Sequence, residues 1–83
     1  MITYFVVQTY SMGRKGNVVA DMPVQAQSAD HATRIAARLG RSKLAAIAFS
    51  RTGDPSTGDY DDANILAVFG VVPDEELQMA MAS

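Results

Sequence analysis

The sequence predicts an α+β fold, in which a β-β-α-β-β antiparallel sheet carries one helix on one face and is followed by a short C-terminal helix. Three observations lead to this prediction: an alternating N-terminal segment interrupted by a glycine turn, a capped amphipathic segment in the middle, and two apolar runs separated by a polar loop. A chain of 83 residues suffices for one domain and not for two, so residues 1–83 are predicted to form a single small domain.

The N-terminal third has the pattern of a β-hairpin. Residues 2–12 alternate and are rich in β-branched and aromatic side chains, and residues 13–16 (GRKG) are a strong turn signal. Residues 17–27 alternate again, which predicts a second strand with one apolar parity directed inward: Val18, Ala20, Met22, Val24 and Ala26. Pro23 has no N–H to donate, so this strand is expected at an edge of the sheet.

The middle of the chain predicts a helix over residues 28–39. Ser28 is a suitable N-cap, and Asp30 in the first turn is favourable for the helix dipole. Gly40 stands where a residue in the left-handed conformation commonly ends a helix. The apolar side chains that fall on one helical face are Ala32, Ile35, Ala36 and Leu39.

The C-terminal half predicts the rest of the sheet. Residues 43–50 form a compact apolar run that indicates a third strand, and residues 51–62 are a polar loop rich in Gly, Asp, Ser and Pro. Residues 63–72 are apolar on both parities, as in a buried central strand. Pro73 and the acidic residues after it begin a short helix that carries Leu77 and Met81.

Composition limits the classes of function. There is no cysteine, so disulfides and thiolate metal sites are excluded, and with a single histidine we predict no metal and no cofactor. No apolar run approaches the roughly 18 residues that cross a bilayer, and residues 1–7 lack the basic start of a signal peptide. We therefore expect a cytoplasmic protein without membrane contact. A net charge of −2 argues against a dominant nucleic-acid function.

Charge is divided unevenly along the chain. Residues 1–53 hold all seven Lys and Arg and two of the nine Asp and Glu, whereas residues 54–83 hold seven acidic residues and no basic one. The simpler interpretation is that the two halves neutralise each other within one fold. The alternative is a polar molecule, in which one face meets a charged partner or a second copy of the chain.

Basic side chains form the first set of candidate binding residues. We define the basic patch as Arg14 and Lys15 at the hairpin tip with Arg34, Arg38 and Arg41 on one helical edge. Arginine suits bidentate contacts with phosphate, but a solvated helix face explains the same spacing. His31 begins this edge. It is interpreted as a surface histidine and not as a general base, because no nucleophile motif accompanies it.

The second set of candidate binding residues lies in the polar loop: Arg51, Asp54, Asp59, Asp61 and Asp62. Long polar loops on a rigid scaffold often hold sites, and several carboxylates together suit a hard cation such as calcium or magnesium. The spacing differs from that of an EF-hand, however, and a tight turn before a strand explains the same residues. We favour the turn and predict no metal ligand and no catalytic residue in this loop.

Two segments resemble a known group of proteins. The strand YFVVQ at residues 4–8 and the segment AFSRTGDP at residues 48–55, with the acidic stretch after it, are similar to segments of a group of small uncharacterised bacterial proteins. The resemblance covers most of the chain. It implies a free-standing cytoplasmic protein, and it brings no activity, cofactor or site residue with it.

Together these features predict a non-enzymatic interaction module that self-associates, most simply as a homodimer, with any other protein partner unidentified. One helix covers one face of a four-stranded sheet, so the second face needs the C-terminal helix or another chain. The alternative function is nucleic-acid or anionic-ligand binding through the basic patch, and an enzyme is the least favoured. The apolar side chains expected on the second face are Phe5, Val7, Ile47, Phe49, Ile65 and Phe69.

Overall fold

A computed structural model describes residues 1–70, which form one antiparallel sheet of six strands and one helix. The predicted α+β class is confirmed. The predicted C-terminal helix and the last two residues of the fourth predicted strand lie outside the described residues. The elements in chain order are β1 (Ile2–Met12), β2 (Val18–Ala20), β3 (Val24–Ala26), α1 (Ala29–Leu39), β4 (Ala45–Asp54), β5 (Asp59–Tyr60) and β6 (Asn64–Gly70).

Two long strands form the centre of the sheet. β1 pairs with β4 over nine residue pairs, from Ile2 opposite Gly53 at one end to Tyr10 opposite Ala45 at the other. β2 and β3 both pair with the free side of β1, and β5 and β6 both pair with the free side of β4. The second strand that the sequence predicts, residues 17–27, is therefore divided into β2 and β3, and β5 lies within the predicted polar loop. The prediction of a buried central strand over residues 63–72 is wrong, because β6 pairs only with β4 among residues 1–70 and is partly exposed.

The irregularity between β2 and β3 changes which side chains face the helix. Tyr10 pairs with Ala20 but Phe5 pairs with Ala26, so one extra residue lies between the two strands. An inserted residue reverses the alternation of side chains, and the prediction of one inward parity over residues 17–27 is therefore wrong. Met22, predicted to point inward, is 86% exposed. Pro23 lies within this interruption at the edge of the sheet, as predicted.

β4 is longer than the predicted third strand. It continues through residues 51–54, which the sequence assigns to the polar loop, because β1 pairs with residues 51–53 on one side and β5 pairs with residues 53 and 54 on the other. What remains of the predicted loop is a tight turn at residues 55–58 and a short connection at residues 61–63. Gly58 in the turn has a φ of +79°, a left-handed conformation that glycine adopts without strain.

The helix begins as its sequence predicts and ends differently. Ser28 is the N-cap, and its hydroxyl accepts a hydrogen bond from the backbone N–H of His31 at 3.0 Å. The predicted left-handed conformation of Gly40 is wrong, since its φ is −62° and its ψ is −16°. Its small size is needed for a steric reason: a Cβ would lie 2.8 Å from Cβ of Phe69 and 3.0 Å from the carbonyl oxygen of Ala36. The end of α1 thus packs directly against β6.

Small side chains allow α1 to lie close to the sheet. Four alanines of this layer are completely buried, two from the helix and two from β4. The predicted helical stripe is confirmed, with Leu39 partly buried at its end. The buried residues of the layer are Val7, Ala26, Ala32, Ile35, Ala36, Ala46 and Ala48, and Phe5, Leu39, Leu66, Ala67 and Phe69 pack around them.

The face of the sheet opposite α1 has its own apolar cluster. Its buried members are Tyr10, Ala45 and Ile47, and Val18, Phe49 and Ile65 pack against them. The prediction that Phe5, Val7 and Phe69 also lie on this face is wrong. Directly paired residues share a face of the sheet, and Val7 and Phe69 pair with alanines of the helix-side layer.

Candidate functional site

The basic patch lies at one end of the sheet and along the exposed edge of α1. Two of its residues occupy the turn beyond β1. After the helix ends, the backbone N–H of Leu44 donates to the carbonyl of Tyr10 at 2.9 Å, which brings the end of α1 to the same end of the sheet as that turn. Within residues 1–70 no member of the patch forms an ion pair. All five members are exposed: Arg14, Lys15, Arg34, Arg38 and Arg41.

His31 has a structural role at the start of the helix. Its imidazole Nδ1 accepts a hydrogen bond from the backbone N–H of Gln27 at 3.1 Å, while its own backbone N–H donates to the Ser28 hydroxyl. Both bonds satisfy backbone N–H groups at the helix start. The side chain is half-buried, so it differs from the exposed surface histidine that the sequence suggests.

The aspartates of the polar loop lie at the opposite end of the sheet. Asp54 ends β4, and its Oδ1 accepts hydrogen bonds from the hydroxyl and the backbone N–H of Ser56 at 2.7 and 2.9 Å. These bonds, the hydroxyl first, hold the pKa of Asp54 below its usual range. The carboxylate therefore serves the turn between β4 and β5.

A shallow concavity of about 360 Å³ opens beside this turn. Three aspartates make its electrostatic potential negative. Within the described part of the chain, however, no group of three or more histidine or acidic side chains could hold a metal ion. The residues that line the concavity are Met1, Asp54, Thr57, Asp59, Tyr60 and Asp61.

Arg51 connects the sheet to the polar loop. It lies on β4 opposite Tyr4, and its Nε donates to the backbone carbonyl of Asp61 at 3.1 Å. The ring of Tyr4 lies near that of Tyr60, with centroids 6.2 Å apart and planes inclined at 43°. Burial, and then hydrogen bonding to Tyr4, raises the pKa of Tyr60. Sequence spacing could not identify this aromatic pair, because the two tyrosines lie far apart in the chain.

A second polar cluster surrounds Asp21, which lies in the interruption between β2 and β3. The Oδ2 atom of Asp21 accepts hydrogen bonds from the hydroxyls of Ser11 and Thr9 at 2.8 and 3.0 Å, and Nζ of Lys43 lies 3.7 Å away. The Ser11 bond, followed by the Thr9 bond and the lysine charge, lowers the pKa of Asp21. The amide of Gln8 donates to the Asp21 backbone carbonyl. The sequence signal for this cluster is weak: two hydroxyl residues on one parity of an otherwise apolar strand.

We expect acid to weaken the fold partly through Asp21. A carboxyl whose pKa is lower in the folded chain stabilises the fold above about pH 4, and that contribution is lost as the pH falls through the folded pKa. Asp21→Asn should therefore lower the urea midpoint at neutral pH by more than it does in acid. Asp62→Asn, which removes the same charge at an exposed position, is the control. Equal midpoints for the wild type and Asp21→Asn at every pH would contradict this role.

The structure separates opposite charges along the central strands. The hairpin tip and the end of α1 border the end where Tyr10 pairs with Ala45, and the loop aspartates border the end where Ile2 pairs with Gly53. Nine strand residues between these ends span about 27 Å. The ion pair of Lys43 with Asp21 lies at the basic end. Residues 1–70 thus form a polar molecule with a basic end and an acidic end.

Comparisons of the chain with protein-family models, with curated proteins and with solved structures each found no match. Within residues 1–70 there is no helix long and apolar enough to cross a membrane.

Proposed function

We propose that the protein is a cytoplasmic, non-enzymatic interaction module that forms a homodimer. The observation that carries the proposal is a set of exposed apolar side chains around the buried Ile47 cluster, on the face of the sheet opposite α1. Large apolar side chains bordering this cluster are exposed, among them Met12 at 57% and Val68 at 44%. Exposed apolar area of this kind is typical of a surface that contacts another chain.

The separation of charge favours a second copy of the chain as the partner. A two-fold axis perpendicular to the central strands reverses one subunit relative to the other, so the basic end of each subunit lies beside the acidic end of its partner. Opposite charges at both ends orient such a pairing and disfavour the parallel alternative. A small domain also gains stability from association that its own core does not supply.

Light scattering over a concentration series tests the homodimer. The expected result is twice the monomer mass of 8.9 kDa at micromolar concentration, with a smaller dimer fraction at high salt because the attraction between the ends is screened. A mass equal to that of the monomer from dilute to millimolar protein would refute the proposal.

A second candidate function is binding of nucleic acid or another anionic ligand by the basic patch. It is favoured by five exposed basic side chains that form no ion pair with the rest of residues 1–70. The guanidinium groups of its four arginines suit bidentate contacts with phosphates. The net charge of −2 and the acidic end of the molecule oppose this function, so we rank it second.

Titration of labelled RNA and DNA at low salt tests the second candidate. If the patch binds phosphates, the affinity falls steeply with salt, and Arg34→Ala combined with Arg38→Ala weakens binding to all sequences alike. We expect no measurable binding by the wild type. Salt-sensitive binding that the double variant loses would instead promote this candidate over the homodimer.

A further inference from the structure

The two edges of the sheet differ in how well they are shielded from pairing with a strand of another chain. An edge strand carries unpaired backbone N–H and C=O groups, and proteins commonly shield it with charges, proline or interruptions. The edge formed by β2 and β3 has such features. It consists of two three-residue strands, and the interruption between them contains Asp21 and Pro23. The backbone carbonyl of Asp21 already accepts a hydrogen bond from the side-chain amide of Gln8. This edge is therefore poorly suited to pair with another strand.

Within residues 1–70, no strand pairs with the outer side of β6 at the opposite edge. Its seven residues, NILAVFG, include no charged residue and no proline, and among residues 1–70 β6 pairs with β4 alone. One bulge opposite Ala48 and Phe49 interrupts the pairing. Val68 pairs with the fully buried Ile47 and is itself 44% exposed. β6 thus combines an outer side that is unpaired within residues 1–70 with an uncharged, partly exposed set of side chains.

We propose that β6 pairs antiparallel with β6 of a second copy, so that the two sheets join into one across a two-fold axis. The inference rests on the homodimer proposed above and names its contact. A two-fold axis at a sheet edge places identical strands antiparallel, and the outward backbone groups of each β6 then find partners in the other. Val68 of each copy lies on the joined face opposite α1, beside β6 of the other copy, so the pairing removes part of its exposed apolar area from water.

Charge complementarity supports this arrangement. Asn64 follows the acidic residues Asp61 and Asp62, whereas Gly70 pairs with Ala45 at the basic end. In an antiparallel pair, the Asn64 end of one copy lies beside the Gly70 end of the other. Gly40 at the end of α1 packs against Phe69 of β6 near that point, and Arg41 is the next residue. The acidic connection of each copy therefore approaches the basic helix end of the other.

Val68→Lys tests the contact directly. Lysines on both sides of the axis place two like charges in the strand pair, so light scattering should give half the wild-type mass at the same concentration. Val24→Lys is the matched control, because Val24 is a valine of the opposite edge and is 39% exposed. This substitution should leave the dimer intact. A folded Val68→Lys protein that remains dimeric would overturn this inference and leave the homodimer standing. A monomeric wild type would refute both.

Amide hydrogen exchange of the wild type provides a test that needs no variant. An amide bonded across the dimer contact exchanges only when that contact opens. Raising the protein concentration should therefore slow exchange at alternate residues of β6 and leave β3 unchanged. Exchange in β6 that is independent of concentration, in a sample whose mass rises to that of a dimer, would overturn the inference even if Val68→Lys does not fold.

Discussion

Replacing Ile47 by alanine is expected to lower the free energy of unfolding by about 2–5 kcal/mol. Ile47 and Val7 are the largest completely buried side chains of residues 1–70, and Ile47 is the one on the face opposite α1. Its backbone is fixed between β1 and β6, so its neighbours have little freedom to fill the space that truncation leaves. Urea denaturation monitored by circular dichroism measures the loss.

Ile2→Ala is the matched control for this prediction. It removes the same atoms from a position on β1 that is 46% exposed, so little apolar area returns to water and no cavity forms. We expect the free energy of unfolding to fall by less than about 1 kcal/mol. Equal losses from the two variants would show that the face opposite α1 does not bury Ile47.

The second large effect is expected at Gly70, the last residue of β6. Its φ is +84°, and a Cβ would lie 2.9 Å from Cα of Ala45 and closer still to the carbonyl oxygen of Leu44. A left-handed conformation costs an L-residue about 1–2 kcal/mol, and overpacking costs about 1–3 kcal/mol more. We therefore expect Gly70→Ala to lower the free energy of unfolding by roughly 2–5 kcal/mol, measured by urea denaturation.

Gly58→Ala is the control that separates the conformational cost from the cost of overpacking. Gly58 has nearly the same backbone conformation, with a φ of +79°, but an added Cβ would meet no atom within 4 Å. Only the conformational cost of about 1–2 kcal/mol is expected there. The difference between the two variants measures the steric contact of β6 with the start of β4. Identical urea midpoints for Gly58→Ala and Gly70→Ala would contradict that contact.

Elements that depend on neighbouring residues could be predicted from the sequence. The helix starts next to its predicted N-cap, Ser28, because a capping hydroxyl acts on the backbone three residues later. The first hairpin follows from residues 13–16, whose turn chemistry is likewise local. The polar loop is the intermediate case, since its turn is found where glycine and aspartate indicate it while its first residues extend β4.

Features that depend on distant partners could not be predicted. Periodicity assigns one parity to residues 17–27, but the inserted residue at the Asp21 cluster reverses that parity, and Asp21 is held there by Thr9 and Ser11 of another strand. The same limit applies to the candidate site. Exposure of Arg34 and Arg38 follows from helical spacing, whereas the contact between Tyr4 and Tyr60 depends on the register of three strands.

The central position of β1 and β4 affects how quickly the chain can fold. These strands are neighbours in the sheet but stand on opposite sides of α1 in the sequence, so their pairing joins residues as distant as Ile2 and Gly53. Closing so long a loop costs more chain entropy than forming either local hairpin, and long-range contacts of this kind slow folding. Formation of α1 shortens the path between the central strands. Refolding should therefore be slowed more by Ser28→Ala than by Gly58→Ala, a difference that stopped-flow kinetics can measure.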